Sequence, residues 1–405
     1  MTISPTTGAP WSRPPPGVHR IFAGPLPPEA TGMEDPGAPK EVAMRVGRII
    51  GVLDPGGAQL SALRLTEALG ALGIVSTRLL VGDATPAGLA LAERFHLPVE
   101  AFRVSEGITQ ETSLQWTPCE GFAEWLAPRL TQVDLVHGHM FGAWWAAAAA
   151  APCGVPVLAS EHNALTWPAQ DHTAAAARAA ARLAVMFAHG PAAGAFAERI
   201  GLPPDRILPG RSAIGTLDRR PIADLPVPRI TFAGRFREDK GPDLLVEAVA
   251  RLADPPPTYL VGDGPMRSRL LSLARQRGLA DLVRLPGWVP APERWMAGSS
   301  VHVVPSREEA WSQSAVLGLG LGVPVVGTRV DGLQHTLGSG RGLLVPPEKP
   351  DVLAAVLADV LAGHRPDPTP GRRYAAEFTP PAVAARYAEV YRSPRCQLTD
   401  GIFSR

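Results

Sequence analysis

The chain has 405 residues, with 39 Lys and Arg against 38 Asp and Glu and a formal net charge of +1. Such a length exceeds one ordinary hydrophobic core and calls for two domains, while the balanced charge excludes a global field for nucleic acid or an acidic membrane and leaves small molecules as the expected partners. Cys119, Cys153 and Cys396 are the 3 cysteines; widely spaced, they offer neither a disulfide framework nor a metal-ligand pattern, which fits a reducing cytoplasm.

Residues 1–41 are crowded with proline and glycine and lack the apolar core of a signal peptide, so a disordered tail is expected there. From Met44 the apolar, β-branched runs "RVGRIIGVL", "STRLLVGD", "VDLVHGH" and "VPVLASEH" alternate with helical runs such as "AQLSALRLTEALGAL" and "GAWWAAAAAA", the pattern of a parallel sheet with crossover helices. "AWWAAAAAAPCGVPVLAS", from Ala143, is the longest apolar stretch, and its prolines and glycine split it into a helix and a strand too short to span a bilayer. After "LAVMFAHG" the alternation runs to about Gly215, where the proline-interrupted "TLDRRPIADLPVPR" reads as a linker.

It then restarts. "ITFAGRF", "TYLVGDG", "LVRLPGWV", "VHVVPS", "VPVVGTR" and "GLLVPP" read as strands, separated by helices that include "GPDLLVEAVARLA", "PMRSRLLSLARQRG" and "KPDVLAAVLADVLAG". The expected organisation is a first domain at 42–215, a linker at 216–228 and a second domain at 229–378. Each is predicted to be a doubly wound, Rossmann-like parallel sheet, the two facing a central cleft where a ligand binds. Open sheets of this kind hold ligands beyond the carboxyl ends of their strands. Glu308 and Glu309 in "VPSREEAW" stand at such an end, just before a helix.

The motifs "GRFREDKGPDLLVEAVARL", "YLVGDGPMRSRLLSLARQRGLADLVRLPGWV", "VPSREEAW" and "GVPVVGTRVDGLQHTLGSGRGLLVPPEKPDVLAAVL" resemble, in this order, the donor-domain motifs of the retaining glycosyltransferases of the GT-B fold, family 4 type. "PGGAQLSALRLTEALGALG" and "VDLVHGHMFGAWWA" are similar to the acceptor-domain motifs, so the resemblance covers roughly residues 44 to 391. It implies transfer of a sugar from a nucleotide-diphosphate sugar to a small soluble acceptor, such as a cyclitol, amino sugar or thiol of specialised metabolism. "PAVAARYAEVYRS" is similar to that fold's last helix, which returns to the first domain, and gives the expected element at 379–395.

Chemistry accounts for the residue types. Negative charge grows on the diphosphate as the glycosidic bond breaks, so cations and N–H donors must face it. Arg235 and Lys240, in the loop after "ITFAG", are a fork and a point charge suited to two phosphates. Gly56 and Gly57 precede a helix and let backbone N–H groups approach a phosphate or sugar. Ser312, Gln313 and Ser314 open a helix whose free amides can hold the distal phosphate. Gly234, Gly262, Gly264 and Trp288 complete the donor-side set within the quoted motifs. On the acceptor side, His139 ends a strand, and its family counterpart faces the reaction centre; His162 and Gly56 are further candidates. His137 is expected to face the opposite side and pack, and Glu161 to cap the turn that follows it.

The resemblance gives Glu309 the role of meeting hydroxyls of the transferred sugar; the adjacent Glu308 reads as a solvated face residue, with a register one residue away as the alternative that would give it that role. It also implies a second Glu eight positions on, at the ribose, where this chain has Leu317. No cofactor and no metal are expected, since Arg235, Lys240 and helix amides can supply the positive charge. Two alternatives share the fold: a nucleotide-sugar epimerase, and a non-catalytic nucleotide-sugar-binding homologue marked by Leu317.

Overall fold

The computed structural model describes residues 43–393 and Cys396, apart from residues 77, 107, 109–112, 163–170 and 223. The tail expected at 1–41 lies outside them. The described chain divides into two compact units, one of residues 43–55, Leu65–Arg211 and the chain from Ala384 on, the other of Gly56–Arg64 with Ser212–Val383. The helix that reads as "PAVAARYAEVYRS" therefore contains a unit boundary.

In the first unit the strands are β1 (Met44–Leu53), β2 (Ile74–Val75), β3 (Leu79–Ala84), β4 (Val99–Val104), β5 (Leu135–His139), β6 (Val157–Glu161), β7 (Leu183–Ala188) and β8 (Ile207–Pro209). They form a sheet in the order β4-β3-β1-β5-β6-β7-β8, with β2 beside the start of β1, and every pairing is parallel. Central strands are buried along their length rather than at alternate positions, as in a parallel sheet covered on both faces; from Val46 to Leu53 every residue of β1 is buried, Arg48 included. The helices are α1 (Gly57–Gly70), α2 (Pro86–Glu93), α3 (Glu120–Leu126), α4 (Phe141–Ala150), α5 (Thr173–Ala180) and α6 (Pro191–Arg199), α1 beginning in residues assigned to the second unit. The alanine-rich α4 presses closely on β5: a Cβ on Gly138 would stand 2.5 Å from the Cα of Trp144. Sequence patterning missed the two-residue β2, and also β4 and β8. β4 is a half-exposed edge strand carrying Glu100 and Arg103, and β8 is three residues ending in proline.

The second unit holds β9 (Ile230–Ala233), β10 (Thr258–Val261), β11 (Val283–Gly287), β12 (Val301–Val304), β13 (Val325–Thr328) and β14 (Leu343–Val345), all parallel, in the order β11-β10-β9-β12-β13-β14. Its helices are α7 (Pro242–Val249), α8 (Arg267–Gln276), α9 (Glu293–Met296), α10 (Gln313–Leu321), α11 (Asp331–Leu337), α12 (Pro350–Leu361), α13 (Pro368–Ala376) and the start of α14 (Pro380–Tyr391). Each strand predicted in this half is present. The chain leaves β9 in one direction along the sheet and β12 in the other, which makes the carboxyl ends of these two strands the switch point where such sheets open a crevice.

Candidate functional site

Two loops meet at that switch point. Lys240 closes the turn Glu238–Lys240 after β9, and Glu309 lies on the loop after β12. Lys240 Nζ donates to Glu309 Oε1 at 3.0 Å, while Ser306 Oγ donates to Glu309 Oε2 at 3.2 Å. Their side chains are 22% and 10% exposed, so water screens this ion pair only in part. The adjacent Glu308 is exposed instead.

Backbone contacts hold the loops in register. The amides of Arg307 and Glu308 donate to Asp239 O at 2.8 and 3.2 Å. Arg307 grips both oxygens of Asp243, at the start of α7, at 2.9 and 3.0 Å. Gly241 has φ +61°, and a Cβ there would stand 2.1 Å from Pro305 O, so only glycine lets the loops run this close. Gly332 plays the same part against Glu309: its amide donates to Glu309 O at 2.9 Å, and a Cβ would stand 2.2 Å from that oxygen.

The remaining donor-side candidates lie along the same carboxyl edge. Arg235 is exposed on the loop after β9. Gly262 and Gly264 let the loop after β10 lie on that loop, since their Cβ atoms would stand 1.9 Å from Gly234 O and 2.7 Å from Phe236 O. Trp288, 41% exposed, follows β11. Ser312 caps α10, its Oγ accepting from Ala315 N at 3.3 Å, and Gln313 Nε2 donates to Gly57 O at the start of α1. Gly56 O accepts the amide of Leu60 in the first turn of α1. The N-terminal ends of α1 and α10 are thus brought together, with Arg64 Nη1 3.4 Å from Gln313 Oε1. Cations and helix N-termini in one place suit a diphosphate.

Leu317 is 5% exposed and belongs to the apolar cluster of Ile214, Met296, Val304, Val325 and Phe378. The leucine is therefore a core residue of α10. Its neighbours Gly318 and Gly320 let the helix settle: Cβ atoms would stand 2.9 Å from Val325 Cγ2 and 2.5 Å from Leu217 Cδ2.

In the first unit His139, His162 and His189 stand at the carboxyl ends of neighbouring strands β5, β6 and β7. The rings of His162 and His189 stack at 3.7 Å, and that of His139 lies 6.1 Å from His162. Burial, the largest effect, holds all three imidazoles below their ordinary pKa, His162 at about 4. His137 is fully buried, but the expectation that it faces away from His139 is corrected. Residues two apart on a strand share a face, and the two rings stack at 4.3 Å. Beneath them lies Arg48 of β1, fully buried, donating to His139 Nε2 at 2.9 Å and to Tyr391 Oη at 3.0 Å. Glu161 accepts from Trp144 Nε1 at 3.1 Å and from the amide of His162 at 3.0 Å. Directly after His139, Met140 takes φ +74° and ψ 157°, a conformation almost reserved for glycine.

Sequence reasoning passed over Arg48, Arg64, His189, Arg307 and the tyrosines of α14. A signal existed for His189, because "MFAHG" repeats the strand-end histidine of "VHGH". Among the described residues no cluster of His, Cys, Asp and Glu is placed to hold a metal ion, and no helix is long and apolar enough to cross a membrane.

Residues 55–208 match the family model described as "Glycosyltransferase Family 4", and residues 227–363 match "Glycosyl transferases group 1". A D-inositol 3-phosphate glycosyltransferase of Streptomyces coelicolor is 33% identical over 224 residues, 50% of this chain and 44% of its own length. One from Jonesia denitrificans is 34% identical over 186 residues, 41% of this chain and 43% of its own. The alignments thus span less than half of these relatives. Among solved structures, Anabaena HepE in complex with UDP and glucose superposes with a TM-score of 0.70 at 18% identity, over 86% of this chain and 99% of that one. Sucrose-phosphate synthase from Thermosynechococcus elongatus does so at 0.69 and 22%, over 86% and 98%; at such identities both speak to the fold. With two GT-B-type parallel-sheet units, each matched by its own glycosyltransferase model, the chain belongs to the glycosyltransferases of family 4 and group 1.

Proposed function

We propose that this protein is a retaining glycosyltransferase that moves a sugar from a nucleoside-diphosphate sugar to a small soluble acceptor. The observation that carries this reading is the 3.0 Å pairing of Lys240 with Glu309 at the switch point of the second unit. As the glycosidic bond breaks, its electron pair leaves with the phosphate oxygen; Lys240, Arg235 and the amides opening α10 face the growing charge. Glu309 accepts hydrogen bonds from hydroxyls of the transferred sugar. The acceptor hydroxyl attacks on the face the diphosphate leaves, giving its proton to the departing phosphate oxygen and retaining the anomeric configuration. His139 serves the acceptor side. The names of the D-inositol 3-phosphate glycosyltransferases support a phosphorylated cyclitol as the first acceptor to try, and HepE's complexes support UDP-sugars as the first donors.

The test is acceptor-dependent release of nucleoside diphosphate from a panel of UDP- and GDP-sugars, with the anomeric configuration of the product read by NMR. Release without an acceptor, or an inverted product, overturns the reading. Activity is expected to survive EDTA, because side chains and helix ends supply the charge; its loss on chelation and return with Mg²⁺ or Mn²⁺ would refute the metal-independent form. Leu317 in an apolar cluster favours one second reading, a binding-only homologue, for which donors would bind and no acceptor would provoke release.

A further inference from the structure

Arg48 is an expensive feature: a guanidinium with no exposed surface and no carboxylate partner among the described residues. Its contacts are Tyr391 Oη at 3.0 Å, His139 Nε2 at 2.9 Å and, more distantly, His137 Nδ1 at 3.4 Å. We infer that Arg48 is a positioning residue that holds His139 as an Nδ1–H hydrogen-bond donor, so that this end of β5 grips an oxygen acceptor of the ligand and does not remove its proton.

The geometry leaves one arrangement of protons. A guanidinium only donates, so His139 Nε2 must present its lone pair to Arg48, and the ring's proton belongs on Nδ1. That nitrogen is buried and has no hydrogen-bond partner among the described residues. A buried donor lacking an acceptor is a rare state in a folded protein, and an oxygen brought by a ligand relieves it. The neighbouring bonds hold Arg48 in place: Tyr391 Oη accepts from Arg48 and donates to His137 Nδ1, leaving His137 Nε2 to donate to Ser160 Oγ at 2.9 Å. Burial and the Arg48 charge both act to keep His139 neutral. A hydroxyl, carbonyl, carboxylate or phosphate oxygen fits this donor; an ammonium group, repelled by Arg48 and offered no lone pair, does not. The consequence for catalysis rests on the proposed acceptor-side role of His139, whereas the proton placement does not.

Imidazole ¹⁵N chemical shifts distinguish the two tautomers directly. In protein labelled with ¹⁵N-histidine, with His139→Gln used only to assign the signal, the expected result at pH 7 is a protonated Nδ1 and a bare Nε2. Arg48→Met should move the proton to Nε2, and turnover should fall about 10- to 100-fold, the scale for losing a partner that orients a functional histidine. Nucleotide affinity should stay unchanged, and Arg48→Lys should recover the Nδ1–H form and part of the turnover. A wild-type His139 protonated on Nε2 or on both nitrogens overturns the inference, even if Arg48→Met does not fold. Unchanged turnover in a folded Arg48→Met protein overturns the positioning role. The expected spectra together with absence of any sugar transfer would sustain the proton placement and refute the proposed function instead.

Discussion

Glu309 engages both its oxygens, one with Lys240 and one with Ser306, while Glu308 is turned to water. Identical side chains one position apart therefore carry different expectations. Glu309→Gln keeps the size and loses the charge, and should impair sugar transfer far more than binding of the free nucleoside diphosphate; Glu308→Gln should leave both near normal. Equal effects on turnover would mean that the loop is out of register. Lys240→Ala should lower turnover by roughly 100-fold or more, the scale for losing one preorganised charge-stabilising group. It should also cost about 1 to 3 kcal/mol of stability, because Glu309 keeps a largely buried charge with only Ser306 to meet it. A folded Lys240→Ala protein of ordinary activity would remove the phosphate role. Leu317 invites the opposite experiment. Supplying a carboxylate with Leu317→Glu places it in an apolar cluster, so the expected outcome is a loss of about 3 to 5 kcal/mol and no gain in nucleotide affinity. Tighter nucleotide binding with an unchanged melting curve would show that the side chain turns out to the ligand.

At the scale of elements, the site depends on how closely loops approach, and glycines set that distance. Gly241 is the sharpest case. Gly241→Ala forces a left-handed residue to carry a Cβ and drives that atom onto Pro305 O, so a cost of at least about 2 kcal/mol is expected. Because the loops after β9 and β12 would part, Lys240 and Glu309 should separate and nucleotide affinity should fall in proportion. Chemical denaturation and nucleotide titration on one variant check both; full affinity would show that the pairing survives without close loop contact. α10 illustrates the same rule inside the core: "GLGLG" marks the two places where strand β13 and Leu217 would meet a side chain. From sequence, such glycines read as turns or small-residue runs, and which backbone each one admits becomes visible only in three dimensions.

Across the molecule the buried histidines are unevenly shared. His137, His139, His162 and His189 belong to the first unit and His302 to the second, and burial lowers each from the ordinary 6.5, His162 to about 4 and His302 to about 3. The native state holds them neutral, whereas the unfolded chain protonates them below about pH 6.5 and so binds more protons. Stability is thus fully present above that pH and falls below it, for His162 down to about 4 and for His302 down to about 3, by up to about 1.4 kcal/mol per pH unit for each such histidine. Hydrogen exchange followed from pH 7.5 to 4.5 should find the first unit opening before the second; the reverse order, or no acid dependence above pH 5, would contradict the burial. Two doubly wound sheets were legible in the sequence because parallel strands covered on both faces read as unbroken apolar runs between amphipathic helices. The carboxyl ends of such runs drew attention to the loops that carry Glu309 and Lys240 and to His139, while the choice of Glu309 over Glu308 came from the family resemblance. Edge strands β4 and β8 were not, since half-exposed or three-residue strands carry no such run. Nor were the partners 69 positions apart in Lys240 and Glu309 or 91 apart in Arg48 and His139. Periodicity reports which face of an element is buried; only the order of strands in the sheet decides which residues, distant along the chain, share that face.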